Sequence, residues 1–210
     1  MTIPFEAGPS AELNQGIAIL TAATQVRLPY LVFASVASAN QDTGVPHFES
    51  KHHIEQRLTV STLGHTVVAP TYFFDNVLGD PSIARGTMPL ALPGDRPLQQ
   101  LDRGDLGRFV AYLLANPAPH LGARIELAGD DPTPNQMAAA IEAASGHPVR
   151  HQPVPLDEVH LRSPNLAAMF AFLTNSGYQV DLPVLHDRYP QMDWTSFADW
   201  TSTQNWPQPD

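Results

Sequence analysis

Cysteine is absent from this chain of 210 residues, which excludes disulfides and thiol catalysis and leaves the compartment open. Apolar runs are short, and none approaches the ~20 residues of a membrane span. Positive charge is scarce: 11 lysines and arginines face 21 acids, a net charge of -10. That balance disfavours nonspecific binding to nucleic acid or to an anionic membrane surface. Lysine occurs once, as Lys51. Glycine occurs 13 times, but nowhere as G-x-G-x-x-G or G-x-x-G-x-x-G, so no glycine-rich phosphate cradle is written here. Nucleophile elbow, Walker loop and nucleic-acid module are missing too. Met1-Thr2-Ile3-Pro4-Phe5-Glu6 has neither a basic region nor an apolar core. A secretory signal is therefore not expected, and a cytoplasmic location is.

What remains is ordinary globular material. The length suits one sizeable core with a small appended lobe, and the hydrophobic fraction is 43%. The 21 prolines are scattered between elements and mark turns. Thr2-Ile3-Pro4 reads as the tail of a strand. Ser10 reads as the cap of a helix with its stripe on Leu13, Ile17, Leu20 and Thr24. The run Tyr30 to Ala34 does not alternate, as expected of a parallel strand buried on both faces. A helix carrying Lys51 follows and stops near Gly64, then a strand from His65 to Ala69 is halted by Pro70. Further strands are expected at Met88 to Leu92, Arg124 to Leu127 and Val149 to Val154. Helices are expected at Asp105 to Ala115, from Thr133-Pro134-Asn135-Gln136 to Gly146, and at Asn165 to Ser176. The tail from Trp194 to Trp206 looks helical. Alternating strands and helices argue for an α/β fold with a parallel sheet, which binds ligands at the carboxyl ends of its strands. Ser35, Val36, Pro70, Thr71 and Tyr72 stand at or just past such ends.

Lys51 shares a helical face with His47, Ile54 and Leu58. It reads either as a functional ammonium aimed into a cavity or as a lysine snorkelling from an apolar stripe. Glu49-Ser50-Lys51-His52 spells E-x-x-H, but a metal needs more ligands than this motif offers, so a solvated helix face is expected and no metal. Asp102 and Asp105 read as caps of a helix start. Gly129-Asp130-Asp131-Pro132 reads as a turn. Tyr72, Phe73 and Phe74 suit either a ligand pocket or the core.

In order and spacing, several stretches together resemble the NmrA-like family of atypical short-chain dehydrogenase/reductases. They are Leu31 to Val36, Gly44 to Lys51, Pro70 to Asn76, Leu101 to Gly107, Ile125 to Gly129 and Gly177 to Asp181. The resemblance implies a Rossmann-type parallel sheet with a smaller C-terminal α/β substrate lobe. Residues 1–210 would form a single domain, 1–115 its remaining Rossmann part and 116–210 mainly the lobe. It implies an NAD or NADP cofactor and either a sensor of dinucleotide redox state or a degenerate relative of one. The alternatives are an NAD(P)H-dependent reductase of a quinone-like or other small acceptor, and a non-catalytic interaction module. Classical relatives pair a tyrosine with a lysine four residues on; here the lysine position is Lys51 and the tyrosine position is His47. Both are carried over as catalytic candidates. Pro4, Ser35, Val36, Lys51, Pro70, Tyr72, Phe73 and Asn76 are carried over as cofactor-binding candidates. The family begins with a glycine-rich strand-turn-helix that this sequence does not contain, so the chain is expected to start near the end of the fourth family strand. Binding of the cofactor by this chain alone is then doubtful, and self-association through an exposed sheet edge is expected.

Overall fold

The apolar run after Tyr30 has no side to show to water, and it becomes a buried strand of a parallel sheet. A computed structural model describes residues 7–209. In chain order it contains α1 (Pro9–Gln25), β1 (Leu31–Ala34), α2 (Pro46–Thr59), β2 (His65–Pro70), β3 (Tyr72–Phe73), β4 (Thr87–Leu90), β5 (Gln100–Leu101) and α3 (Arg103–Ala115). These are followed by β6 (Arg124–Leu127), α4 (Pro134–Ser145), β7 (Arg150–Pro153), α5 (Leu156–Arg162), α6 (Pro164–Asn175), α7 (Leu182–Arg188) and α8 (Phe197–Ser202). The mixed α/β architecture with parallel sheets is the one the alternation of elements implied. No described helix is long and apolar enough to cross a membrane. The expected strand tail Thr2-Ile3-Pro4, and with it Pro4, lies outside the described residues.

The chain divides into two compact units. The first holds residues 7–70 together with Leu106–Leu127, and the second holds Thr71–Asp105 and 128–209. The boundary therefore falls inside α3.

In the first unit, β1, β2 and β6 form a parallel sheet in that order. Leu31 pairs with His65 and Ala34 with Val68, while Val67 pairs with Arg124 and Pro70 with Leu127. Its core joins Leu20 and Ala23 of α1 to Leu31, Phe33 and Val67 of the sheet and to Ile54 and Leu58 of α2. The first helix departs from its sequence reading. Pro9 opens it behind Gly8, whose φ is 92°, so Ser10 lies inside the helix and caps nothing. Its buried face is Glu12, Gly16, Leu20 and Ala23; Thr24 is exposed. The apolar spacing had suggested a face about a quarter-turn away, because a buried acid was not counted as part of a stripe.

In the second unit, β4 pairs with β7 and β3 with β5, both in parallel. Phe74, Ile83, Met88, Met137, Ile141, Phe197 and Trp200 form its core. Helix α4 has the expected capping box, Thr133 with Gln136, and ends on left-handed Gly146. The tail is less helical than expected: α8 covers only six residues, capped by Ser196. Trp206 lies beyond it, and its indole N–H donates to the Thr201 carbonyl. Helix α5 was not anticipated because it buries none of its residues and so writes no stripe.

Candidate functional site

Two constellations stand out, one in each unit. In the first unit, Pro46 opens α2, and Ser50 and Lys51 on that helix reach Glu12 of α1. The Lys51 ammonium lies 2.5 Å from Oε1 of Glu12. Its side chain is 12% exposed, and that of Glu12 is fully buried. The Ser50 hydroxyl donates to the other carboxylate oxygen of Glu12. Lys51 therefore neither snorkels into water nor stands unengaged. It joins α2 to a buried acid on α1.

His47 is buried beside it. Burial, and then the positive charge of Lys51, push its imidazole down from 6.5 to about 4. At neutral pH it is an uncharged ring, able to accept a proton weakly and unable to donate one as an imidazolium.

The strand-end residues are also engaged. Ser35 donates its hydroxyl to Glu55 on α2. Glu55 accepts in turn from Nε of Arg124 at 2.9 Å. The remaining guanidinium nitrogens of Arg124 reach Glu126 at 2.6 Å and the Val36 carbonyl at 2.9 Å. The Ser38 N–H donates to Glu126, and the Ala37 N–H to the Pro70 carbonyl. This network fixes the backbone at the carboxyl ends of β1 and β2. It also engages the Ser35 hydroxyl and the Val36 and Pro70 carbonyls, three of the residues expected from the sequence to meet a cofactor.

A pyrophosphate needs several backbone N–H groups or cations turned towards it. Here the Lys51 ammonium and the Arg124 guanidinium already face carboxylates, and the sequence has no glycine-rich turn. The described residues do not fit a pyrophosphate. Nor does the E-x-x-H motif gather ligands: Glu49 is exposed, and the His52 ring lies 3.0 Å from the Gln56 amide.

In the second unit, the aromatic triplet divides. Phe74 goes wholly into the core, and Phe73 lies under the Arg103 guanidinium at 5.6 Å. Tyr72 lines a cavity of about 280 Å³ together with Asn76, Ile83, Met88, Met137, Leu166 and Phe170. Burial pushes its hydroxyl up to about 12, against the opposing effect of the nearby Asn76 side chain. Tyr72 is therefore a neutral phenol over the whole physiological range. Asp80, Glu158 and Arg162 complete the charged part of the lining.

Of the residues the sequence singled out, the structure places Lys51 and His47 together on α2, and Tyr72 and Asn76 together in the lining of the cavity. Sequence reasoning missed Glu12, Glu55 and Arg124. Glu12 was findable, since it lies four and eight residues before Gly16 and Leu20, in phase with a buried face. Asp102 caps as expected, accepting from the Asp105 N–H at 3.3 Å. Asp105 does more, for its carboxylate accepts both the N–H and the hydroxyl of Thr195 at 2.9 Å. Asp130 likewise holds the Phe197 N–H at 2.7 Å, so the turn read at Gly129 to Pro132 also anchors α8.

The model of the NmrA-like family matches residues 2–200. Among solved structures, the fold is similar to the triphenylmethane reductase of Citrobacter sp. complexed with NADP(H), with a TM-score of 0.81 at 16% identity. That match covers 97% of this chain and 74% of the other. The NADPH-dependent quinone oxidoreductase of Escherichia coli complexed with NADPH gives 0.78 at 22% identity, over 96% and 74%. NmrA, a negative transcriptional regulator in complex with NAD, gives 0.75 at 19% identity, over 96% and 72%. At these identities the structural likeness is one of fold.

Proposed function

The chain belongs to the NmrA-like family, and on that premise we propose that it is an NAD(P)-responsive protein of the sensor type rather than a proton-transferring dehydrogenase. The observation that carries this reading is the state of the two candidates on α2. Lys51 is held against buried Glu12, and His47 is a buried neutral ring. Lys51 lacks the exposure, and His47 both the exposure and the charge, that a proton donor to a bound substrate requires. Ser35, Val36, Lys51 and Pro70 remain the proposed dinucleotide contacts in the first unit, and Tyr72, Phe73 and Asn76 those in the second. Contact with Ser35, Val36 or Lys51 needs the bonds described above to be exchanged. Together with the missing phosphate cradle, this makes the expected affinity low.

A second reading, an NAD(P)H-dependent reductase of a small acceptor, is favoured by the apolar cavity beside Tyr72. In such proteins the cofactor supplies hydride, and the residues of this chain would bind and orient the acceptor. Steady-state oxidation of NADPH with a panel of quinones separates the two. Turnover above the protein-free rate supports the reductase. Calorimetric binding of NADPH or NADP without turnover supports the sensor.

A further inference from the structure

The cavity of the second unit has one wall unlike the others. Its floor belongs to the core of the unit, where Ile83, Met88 and Met137 are buried. Its mouth does not, for Asn76, Glu158, Arg162 and Leu166 in the same lining are exposed. Helix α5 supplies Glu158, Val159 and Arg162, which at i, i+1 and i+4 lie close together on the helix circumference. None of the residues of α5 is buried. A helix of seven residues is too short to hold itself together in water and depends on packing. This one packs chiefly on α6. Pro155 gives its N-terminus no side-chain cap. The Ser163 hydroxyl at its other end accepts from the Leu166 N–H and so serves α6 instead.

Two features say which way this wall moves. Val77, Leu90, Val154 and Val159 in the lining are only partly buried, so the half-open cavity leaves apolar surface wet and closure over it is favourable. The ionisable lining groups are Asp80, in the loop before β4, and Glu158 and Arg162 on α5. Among the described residues none of these three is in an ion pair. Asp80 uses one carboxylate oxygen on the Ser82 N–H at 2.8 Å, which leaves the other for a cation. We propose that α5 is a lid, that it closes over the cavity in the free protein, and that Arg162 reaching Asp80 is its latch. The proposal stands apart from both functional readings above, because it concerns access to the cavity and not what enters it.

Because the chain has no cysteine, a single Ala91→Cys in the buried part of the lining reports on access. The measurement is its rate of alkylation by iodoacetamide, an uncharged reagent, in the full chain. His160→Pro, at an exposed position, breaks α5 and should speed alkylation at least roughly tenfold. Asp80→Asn and Arg162→Gln should each speed it roughly two- to fivefold, the size of one partly exposed ion pair. The double variant should be no faster than either single one, since both remove the same contact. Field effects on the thiol cannot mimic this, because loss of an acid raises thiol reactivity and loss of a base lowers it. Hydrogen exchange of the unmodified protein gives a second reading: the α5 amides should exchange at least roughly a hundredfold faster than those in the middle turns of α4 and α6. Unchanged alkylation with His160→Pro would overturn the proposal. So would single-variant effects that vanish or that multiply in the double variant, or α5 amides as well protected as those of α6. The exchange is read on the unmodified chain, so the test stands even if a variant fails to fold.

Discussion

Replacing Lys51 with alanine should unfold the first unit far more readily than removal of an exposed ligand-binding lysine would. The geometry sets the size of the effect. At 2.5 Å the Lys51–Glu12 attraction is about 7 kcal/mol in an effective dielectric of ~20, and desolvation of both ions returns much of it. What the substitution exposes is the other half of the account, a fully buried Glu12 left, among the described residues, with the Ser50 hydroxyl alone. Uncompensated buried charges of this kind cost about 3–5 kcal/mol, which for a chain of this length lowers Tm by roughly 6–20 °C. Denaturant unfolding followed by far-UV circular dichroism is the suitable assay, because all three tryptophans, Trp194, Trp200 and Trp206, lie in the second unit and would not report on α1 and α2. The double variant Glu12→Met/Lys51→Met should recover most of the loss, since it removes both charges and keeps similar volume. Ser50 retains an acceptor in the His47 carbonyl at 3.3 Å. A loss under about 1 kcal/mol for Lys51→Ala, or a double variant no more stable than the single one, would refute the reasoning.

Other consequences can be checked alongside. His47 has a folded pKa of about 4 against 6.5 for an unperturbed ring, so between those values the unfolded chain binds more protons. Its contribution is fully present above pH 6.5 and is lost as pH falls towards 4, at most about 3 kcal/mol, and His47→Phe should flatten the stability profile across that window. Asp105→Ala removes both bonds to Thr195 and should cost about 2–4 kcal/mol, with faster hydrogen exchange at the Thr195 and Phe197 amides as the local readout. A Cβ at Gly129 would meet the Thr195 carbonyl oxygen at 2.9 Å, so Gly129→Ala should destabilise the same junction by about 1–3 kcal/mol in thermal unfolding.

Much of the fold was legible because it follows from local patterns. The non-alternating run at Leu31, the capping box at Thr133 and the stripe of α6 each announce an element through burial or capping physics. Helices α5 and α7 escaped because α5 buries nothing and α7 buries only Leu185, so neither writes a periodicity. The candidate site was legible as residues and not as states. The family pattern pointed to Lys51 and His47, yet their chemistry depends on Glu12, 39 positions away in sequence, and on the burial around α2. Likewise the tie from Ser35 through Glu55 to Arg124 spans three elements, β1, α2 and β6, and no local rule pairs them. Tyr72 could be placed at a strand end, but that it rather than Phe74 would line a cavity is decided by the packing of α6 and β4.

Calorimetric titration of the full chain with NADPH tests the central claim most directly. The account predicts weak, saturable binding with a Kd of about 0.1 mM or somewhat weaker, because the family relation supports dinucleotide recognition while the described residues supply no pyrophosphate cradle. Micromolar binding would contradict the reading of the strand-end groups as already occupied, and no saturable binding at millimolar NADPH would contradict the dinucleotide-responsive function itself.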